Sequence, residues 1–147
     1  MSVTPEPGLV IRYDFLWKAE ARAGREEGAK DRPCAVVLAT RPKDGQREVV
    51  VCPITHAPPR AGEIAVEIPY KVARYLKLDS DRMWIKTHEV NSLQWEEGQI
   101  PHGVSRAHPD AWAFGMLPKA LGSQMFEQVR ENSRQHALGI VTRSAAE

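Results

Sequence analysis

Two short, apolar, β-branched runs that answer each other across a turn constrain this chain more than any other feature. Asp31-Arg32-Pro33-Cys34-Ala35-Val36-Val37-Leu38-Ala39-Thr40 is followed by Glu48-Val49-Val50-Val51-Cys52-Pro53-Ile54-Thr55-His56. The connection, Arg41 to Arg47, contains Asp44-Gly45, a strong signal for a tight turn, so the two runs are expected to pair as an antiparallel hairpin at the heart of a sheet. Arg32 stands before the first strand and Thr55-His56 at the end of the second. A fixed cation, a hydroxyl and an imidazole therefore come to one end of the hairpin, which is the candidate site.

The chain has 147 residues, 42% of them hydrophobic, which fits one domain, 1–147, with its own core. No apolar run approaches the roughly 20 residues of a spanning helix, and the first residues lack the apolar stretch of a signal peptide, so a cytoplasmic protein with no membrane partner is expected. Cys34 and Cys52 lie inside apolar strand patterns and read as small buried thiols rather than as a disulfide or metal pair. The formal net charge of +1 neither favours nor excludes a polyanionic partner. Locally, Lys18, Arg22, Arg25, Lys30 and Arg32 alternate with Glu20, Glu26, Glu27 and Asp31, a pattern equally typical of a solvated surface segment.

Taken in order, Gly8 to Phe15 is a strand with Leu9, Ile11, Tyr13 and Phe15 on one face, and Leu16 to Asp31 is a charged loop with room for one helical turn. After the hairpin, Glu63 to Ile68 is a strand with Ile64, Val66 and Ile68 inward. Tyr70 to Leu76 is a short helix that buries Val72, Tyr75 and Leu76. Arg82 to Val90 is the next strand, polar in its second half. Asn91 to Ala111 lacks periodicity and reads as a long irregular loop, the kind that often binds ligands. Trp112 to Leu117 is a last strand, and Leu121 to Leu138 a helix with Leu121, Met125, Val129 and Ala137 on one side and Phe126 beside them. The ends, 1–7 and 144–147, are expected to be disordered. These elements give a mainly β fold with helices (α+β): a small, partly open antiparallel barrel covered by a C-terminal helix.

The order of these features resembles the MazF/PemK family of toxin-antitoxin toxins over roughly residues 7 to 140. The specific part is Arg32-Pro33 before a β-branched strand and Pro53-Ile54-Thr55 ending the next. The resemblance implies an SH3-like barrel, a homodimer, a cognate antitoxin partner, and metal-independent endoribonuclease activity on single-stranded RNA with no cofactor. It matches Arg32 to the family's catalytic arginine, Thr55 to the hydroxyl ending the following strand, and Glu27 to a loop glutamate of some members. At His56 many members carry a second hydroxyl, and at His88 many carry an aspartate. The structurally similar gyrase poisons imply an alternative, a non-hydrolytic toxin that binds a protein target; another is a degenerate member that only binds nucleic acid or antitoxin.

Cleavage without metal uses the RNA's own 2′-hydroxyl, so the protein must take that proton, stabilise charge on the phosphate and assist the leaving oxygen. Arg32 suits the phosphate, because a guanidinium is always charged and meets two oxygens at once. Thr55 is a further donor to it. His56 and His88 are the side chains suited to exchange protons near neutrality, with Glu89 as substitute base. Trp95 and Arg106 in the long loop, with Arg22, Arg25, Lys30 and Lys86, are expected to stack bases and neutralise the backbone, with core packing the other reading of Trp95. His102 and His108 lack the partners of a metal site.

Overall fold

In the computed structural model, which describes residues 3–143, Asp44 and Gly45 both adopt positive φ, 54° and 78°, and close a two-residue hairpin between Lys43 and Gln46. This turn matches the twist of the strands it joins, so β2 (Arg32–Ala39) and β3 (Gln46–Thr55) pair antiparallel along most of their length. A register shift between Val36 and Leu38 interrupts the ladder. Across it the strand's alternation continues, with Val36 and Val37 on opposite faces, each buried in a different apolar cluster.

Among the described residues nine strands form one sheet, mainly antiparallel and open rather than closed, with three helices. β1 (Leu9–Tyr13) lies against β2, and the short β7 (Val104–Ser105) and β8 (Ala113–Met116) share β1's other edge. β3 changes partner along one edge. Gln46 to Val51 pair with β6 (Glu89–Glu96), and Ile54 and Thr55 pair with β5 (Met83–Lys86), which in turn holds β4 (Ala65–Ile68). Between β5 and β6 the chain turns a corner at Thr87 and His88.

The C-terminal helix α3 (Lys119–Arg134) is fastened to that corner: the Thr87 hydroxyl donates to Gln128 (2.8 Å), and Asn132 donates to the Thr87 carbonyl (2.8 Å). It buries Leu121 and Met125 over one apolar layer, which includes Val10, Ala35, Val37, Cys52, Ile54, Val66 and Leu76. The opposite face of the sheet curls onto itself around Leu9, Ile11, Tyr13, Phe15, Cys34, Val36, Val49, Val51, Leu93 and Trp95. Each Val, Leu, Ile, Phe or Met among them stabilises the fold by about 1.5–3 kcal/mol before entropy is counted. Both thiols are free and buried, and burial pushes both pKa values up.

Several expectations need correction. The segment from Asn91 is not a loop at its start: β6 continues to Glu96, and Asn91 and Ser92 hid its period of two because polar side chains there are buried in hydrogen bonds. Trp95 is consequently 1% exposed in the core and is not a stacking surface for RNA. A short strand, β9 (Gly139–Thr142), pairs parallel with β6 where the sequence signalled only the end of a helix, and Ala137 is exposed beyond α3. In α2 (Tyr70–Tyr75) the inward residue is Ala73, followed by Leu76, while Tyr75 is 77% exposed. Ile64 precedes its strand and is exposed. Val3 packs against the second apolar cluster and Pro5 is buried, so 3–7 is not a loose lead-in; residues 1–2 and 144–147 lie outside the described residues. No helix among the described residues is long and apolar enough to cross a membrane.

Candidate functional site

Cys34 pairs with Pro53, so two residues further along the ladder Arg32 comes opposite Thr55. Thr55 also pairs with Trp84 of β5, and the β5–β6 corner lies beside it. These elements surround a cleft of about 520 Å³ lined by Trp17, Lys30, Arg32, Thr55, His56, Arg60, Glu63, Lys86, His88 and Glu89. All five residues expected to carry chemistry, together with Lys30 and Lys86, thus share one depression. A second, of about 280 Å³, opens on the other side of Arg32, Thr55 and His56 towards Asp79, Ser80 and Met83. Another depression, of about 550 Å³, is far more apolar, lies between α3 and residues 6–8, and holds neither arginine nor imidazole. Size does not locate chemistry here.

The Arg32 guanidinium lies over the indole of Trp17, 5.3 Å from its centre, and forms no ion pair with a carboxylate among the described residues. Its Nε is buried without a hydrogen-bond partner. A half-buried cation steadied by an aromatic face with donors unspent is suited to binding an anion. Thr55 is buried, and its hydroxyl donates to the Ala57 carbonyl (3.2 Å). That bond fixes the turn which presents His56, rather than offering a donor to phosphate. His56 itself is exposed at the rim.

Across the cleft, His88 Nε2 stands 3.4 Å from Glu63 and 3.9 Å from Glu89, and its Nδ1 is buried without a partner. Glu63 accepts from the Arg60 backbone N–H (2.9 Å), and this bond holds its carboxyl below the ordinary range. Burial opposes that effect, and His88 and Lys86 add to it. Lys86 is buried and donates to the Pro58 carbonyl (3.2 Å) and Glu63 (3.5 Å), which ties down the loop after Thr55. Its ammonium serves that loop before any phosphate. Glu89 accepts from the Lys18 backbone N–H (2.8 Å) at the start of α1 (Lys18–Arg22).

The remaining expected contacts stand away from the cleft lining. Arg22 is exposed on α1, Arg25 pairs with Glu20 (3.8 Å), and Glu27 pairs with His102 (3.6 Å). Arg106 lies over Trp112, 4.6 Å from its ring centre, and His108 packs edge-on against Phe114. No group of three or more His, Cys, Asp or Glu among the described residues is placed to hold a metal ion.

Sequence reasoning missed Trp17 and Glu63. Trp17 had a signal, since it continues the alternation Leu9, Ile11, Tyr13, Phe15 by two more residues, and its ring meets Phe15 edge-on at 5.1 Å. Glu63 had none, because only folding brings it to His88. Family models, curated proteins and solved structures were compared with the chain, and none matches it.

Proposed function

We propose that the chain is a metal-independent endoribonuclease of MazF/PemK type that binds single-stranded RNA across this cleft. The observation that carries the reading is the Arg32 guanidinium, held on Trp17 without an ion pair among the described residues, in a cleft that two imidazoles also line. A phosphodiester seated on Arg32 leaves room for nucleotides in the depressions on either side of it. The 2′-oxygen attacks phosphorus while an imidazole takes its proton, the bond to the 5′-oxygen breaks, and a second proton donor protonates the leaving group. The products are a 2′,3′-cyclic phosphate and a 5′-hydroxyl. His56 is the imidazole open to substrate; His88, oriented by Glu63, is the second group. Arg32 stabilises the charge that gathers on the equatorial oxygens.

The family resemblance adds a homodimer and an inhibitory antitoxin as partners. Two observations favour a second reading, a member that binds RNA without cutting it: Thr55 spends its proton on Ala57, and His88 turns Nε2 to carboxylates. Incubation of the purified protein with a long single-stranded RNA in EDTA separates the two. Cuts at defined positions, ending in cyclic phosphate and 5′-hydroxyl, are expected. Intact RNA with a retarded band on a native gel selects the second reading, and intact, unretarded RNA removes both.

A further inference from the structure

Trp17 is held in an unusual way. Its own side chain makes the contact with Arg32, but the backbone on each side of it is gripped by side chains of one distant strand. Asn91, fully buried, accepts from the Leu16 N–H (2.9 Å) and donates to the Leu16 carbonyl (2.8 Å). Glu89, two residues earlier on β6 and so on the same face, accepts from the Lys18 N–H (2.8 Å). Arg143, just past β9, donates to the Asn91 side-chain oxygen (3.1 Å) and to the Glu26 carbonyl (3.1 Å) and pairs with Asp14 (3.3 Å), which anchors both ends of the segment that carries Trp17. A polar side chain buried completely and satisfied on both its oxygen and its nitrogen is costly to misplace, so its geometry is defined.

We propose that Asn91 and Glu89 are positioning residues: by fixing the backbone on either side of Trp17 they set the ring against which Arg32 lies, and thereby the place where the cleft receives a phosphate. This rests, for its catalytic consequence, on the nuclease reading above. It also changes the role of Glu89. Its carboxylate serves as an acceptor for a backbone amide, so the substitute-base role is not needed.

The two roles of Glu89 separate by substitution. Gln keeps an oxygen that can accept from Lys18 but cannot take a proton, whereas Ala keeps neither property. Glu89→Gln is expected to lose clearly less cleavage than Glu89→Ala. Glu89→Ala and Asn91→Ala are expected to lose on the order of tenfold or more in kcat, as displacement of a charge-stabilising group does, and Asn91→Ala should keep the shape of the pH profile. A second readout is independent of activity. In ¹⁵N spectra of arginine side chains, the Arg32 Nε–H resonance carries the ring-current shift of Trp17, which Trp17→Ala defines as the unstacked limit. Asn91→Ala and Glu89→Ala should move it towards that limit, and Glu89→Gln should not.

An unmoved Arg32 resonance in the folded alanine variants overturns the proposal. So does a Glu89→Gln variant that loses as much activity as Glu89→Ala together with one limb of the profile, since that marks a base. Should Asn91→Ala fail to fold, the two Glu89 variants decide alone. If wild-type protein cuts no RNA, the resonance comparison still decides the positioning role, and only the nuclease reading falls.

Discussion

At the scale of single residues, the site depends on a cation whose surroundings hold it without neutralising it. Arg32 belongs to neither apolar cluster and lies only over Trp17, a half-buried residue at the edge of one, so Arg32→Ala should shift the thermal unfolding midpoint little. Cleavage should fall by about 2.7–4 kcal/mol of transition-state stabilisation, the loss that follows removal of one oxyanion donor. Initial rates on a short RNA measure it, and a fully active variant ends the assignment. The two imidazoles make a separate case. His56 is exposed and His88 faces carboxylates, so the rate against pH should be bell-shaped and His56→Ala should remove one limb. His88→Ala should remove the other. Three profiles of the same shape and height would leave Arg32 to act by charge alone. Glu63, which orients His88, also affects stability. Its carboxyl is depressed in the fold from an ordinary 4.5, chiefly by the Arg60 N–H, so its unfolded form binds the proton more readily. The resulting stability is present above the ordinary value and is lost as pH falls through the lower, folded one. In Glu63→Gln the unfolding midpoint, followed by denaturant titration between about pH 6 and 3, should decline less steeply than in wild type.

At the scale of elements, strands with uninterrupted apolar alternation were legible and strands that bury polar groups were not. β1, β2 and β3 were visible because Leu9, Ile11 and Tyr13, or Val49 and Val51, fill one face at every second position. β6 was not, because Asn91 and Ser92 interrupt the pattern for reasons that exist only after folding: one receives the Leu16 backbone, the other donates to Glu48. The same cause misplaced Trp95, whose polar neighbours Gln94 and Glu96 are simply the outward half of a strand. Arg32, Thr55 and His56 were legible as a group because one hairpin carries them. His88 and Glu89 were visible as residues but not as neighbours of Glu63 and Lys18, since those pairings join separate elements. The segment 14–28 that delivers Trp17 yields its own prediction. A Cβ on Gly28 would stand 2.2 Å from the Phe15 carbonyl oxygen, a backbone atom that cannot swing aside. Gly28→Ala should therefore destabilise by about 1–3 kcal/mol, as overpacking does. It should also lower Arg32-dependent cleavage, because the displaced backbone lies two residues before Trp17. Urea unfolding and initial rates, measured on the same variant, check both halves.

At the scale of the whole molecule, the cleft and a group of exposed apolar side chains fall in different places. Leu38, Met116, Phe126 and Ile140 are 45, 42, 44 and 56% exposed, and all four line one or both of the two apolar depressions that flank α3. A lone exposed leucine is ordinary, whereas four large apolar side chains around adjoining grooves form a patch of the kind that marks an interface. The rim carries both signs, with Glu6, Glu48 and Glu127 against Lys119, Arg130 and Arg134. A two-fold arrangement brings a patch onto its own copy, and mixed charge lets such a patch complement itself. The homodimer implied by the MazF/PemK resemblance is therefore tested at this surface. Sedimentation equilibrium at micromolar concentration should give twice the 16.5 kDa chain mass. Phe126→Glu should give the single mass, because the charge cannot be buried against an apolar partner without a large desolvation cost. A wild-type monomer discards the dimer altogether, while a dimer that persists in both Phe126→Glu and Leu38→Glu moves the interface off this face. Cleavage by the Phe126→Glu monomer then tells whether one cleft suffices: an unchanged rate per chain means that each copy cuts alone, and a lost rate means that the RNA must cross from one copy to the next.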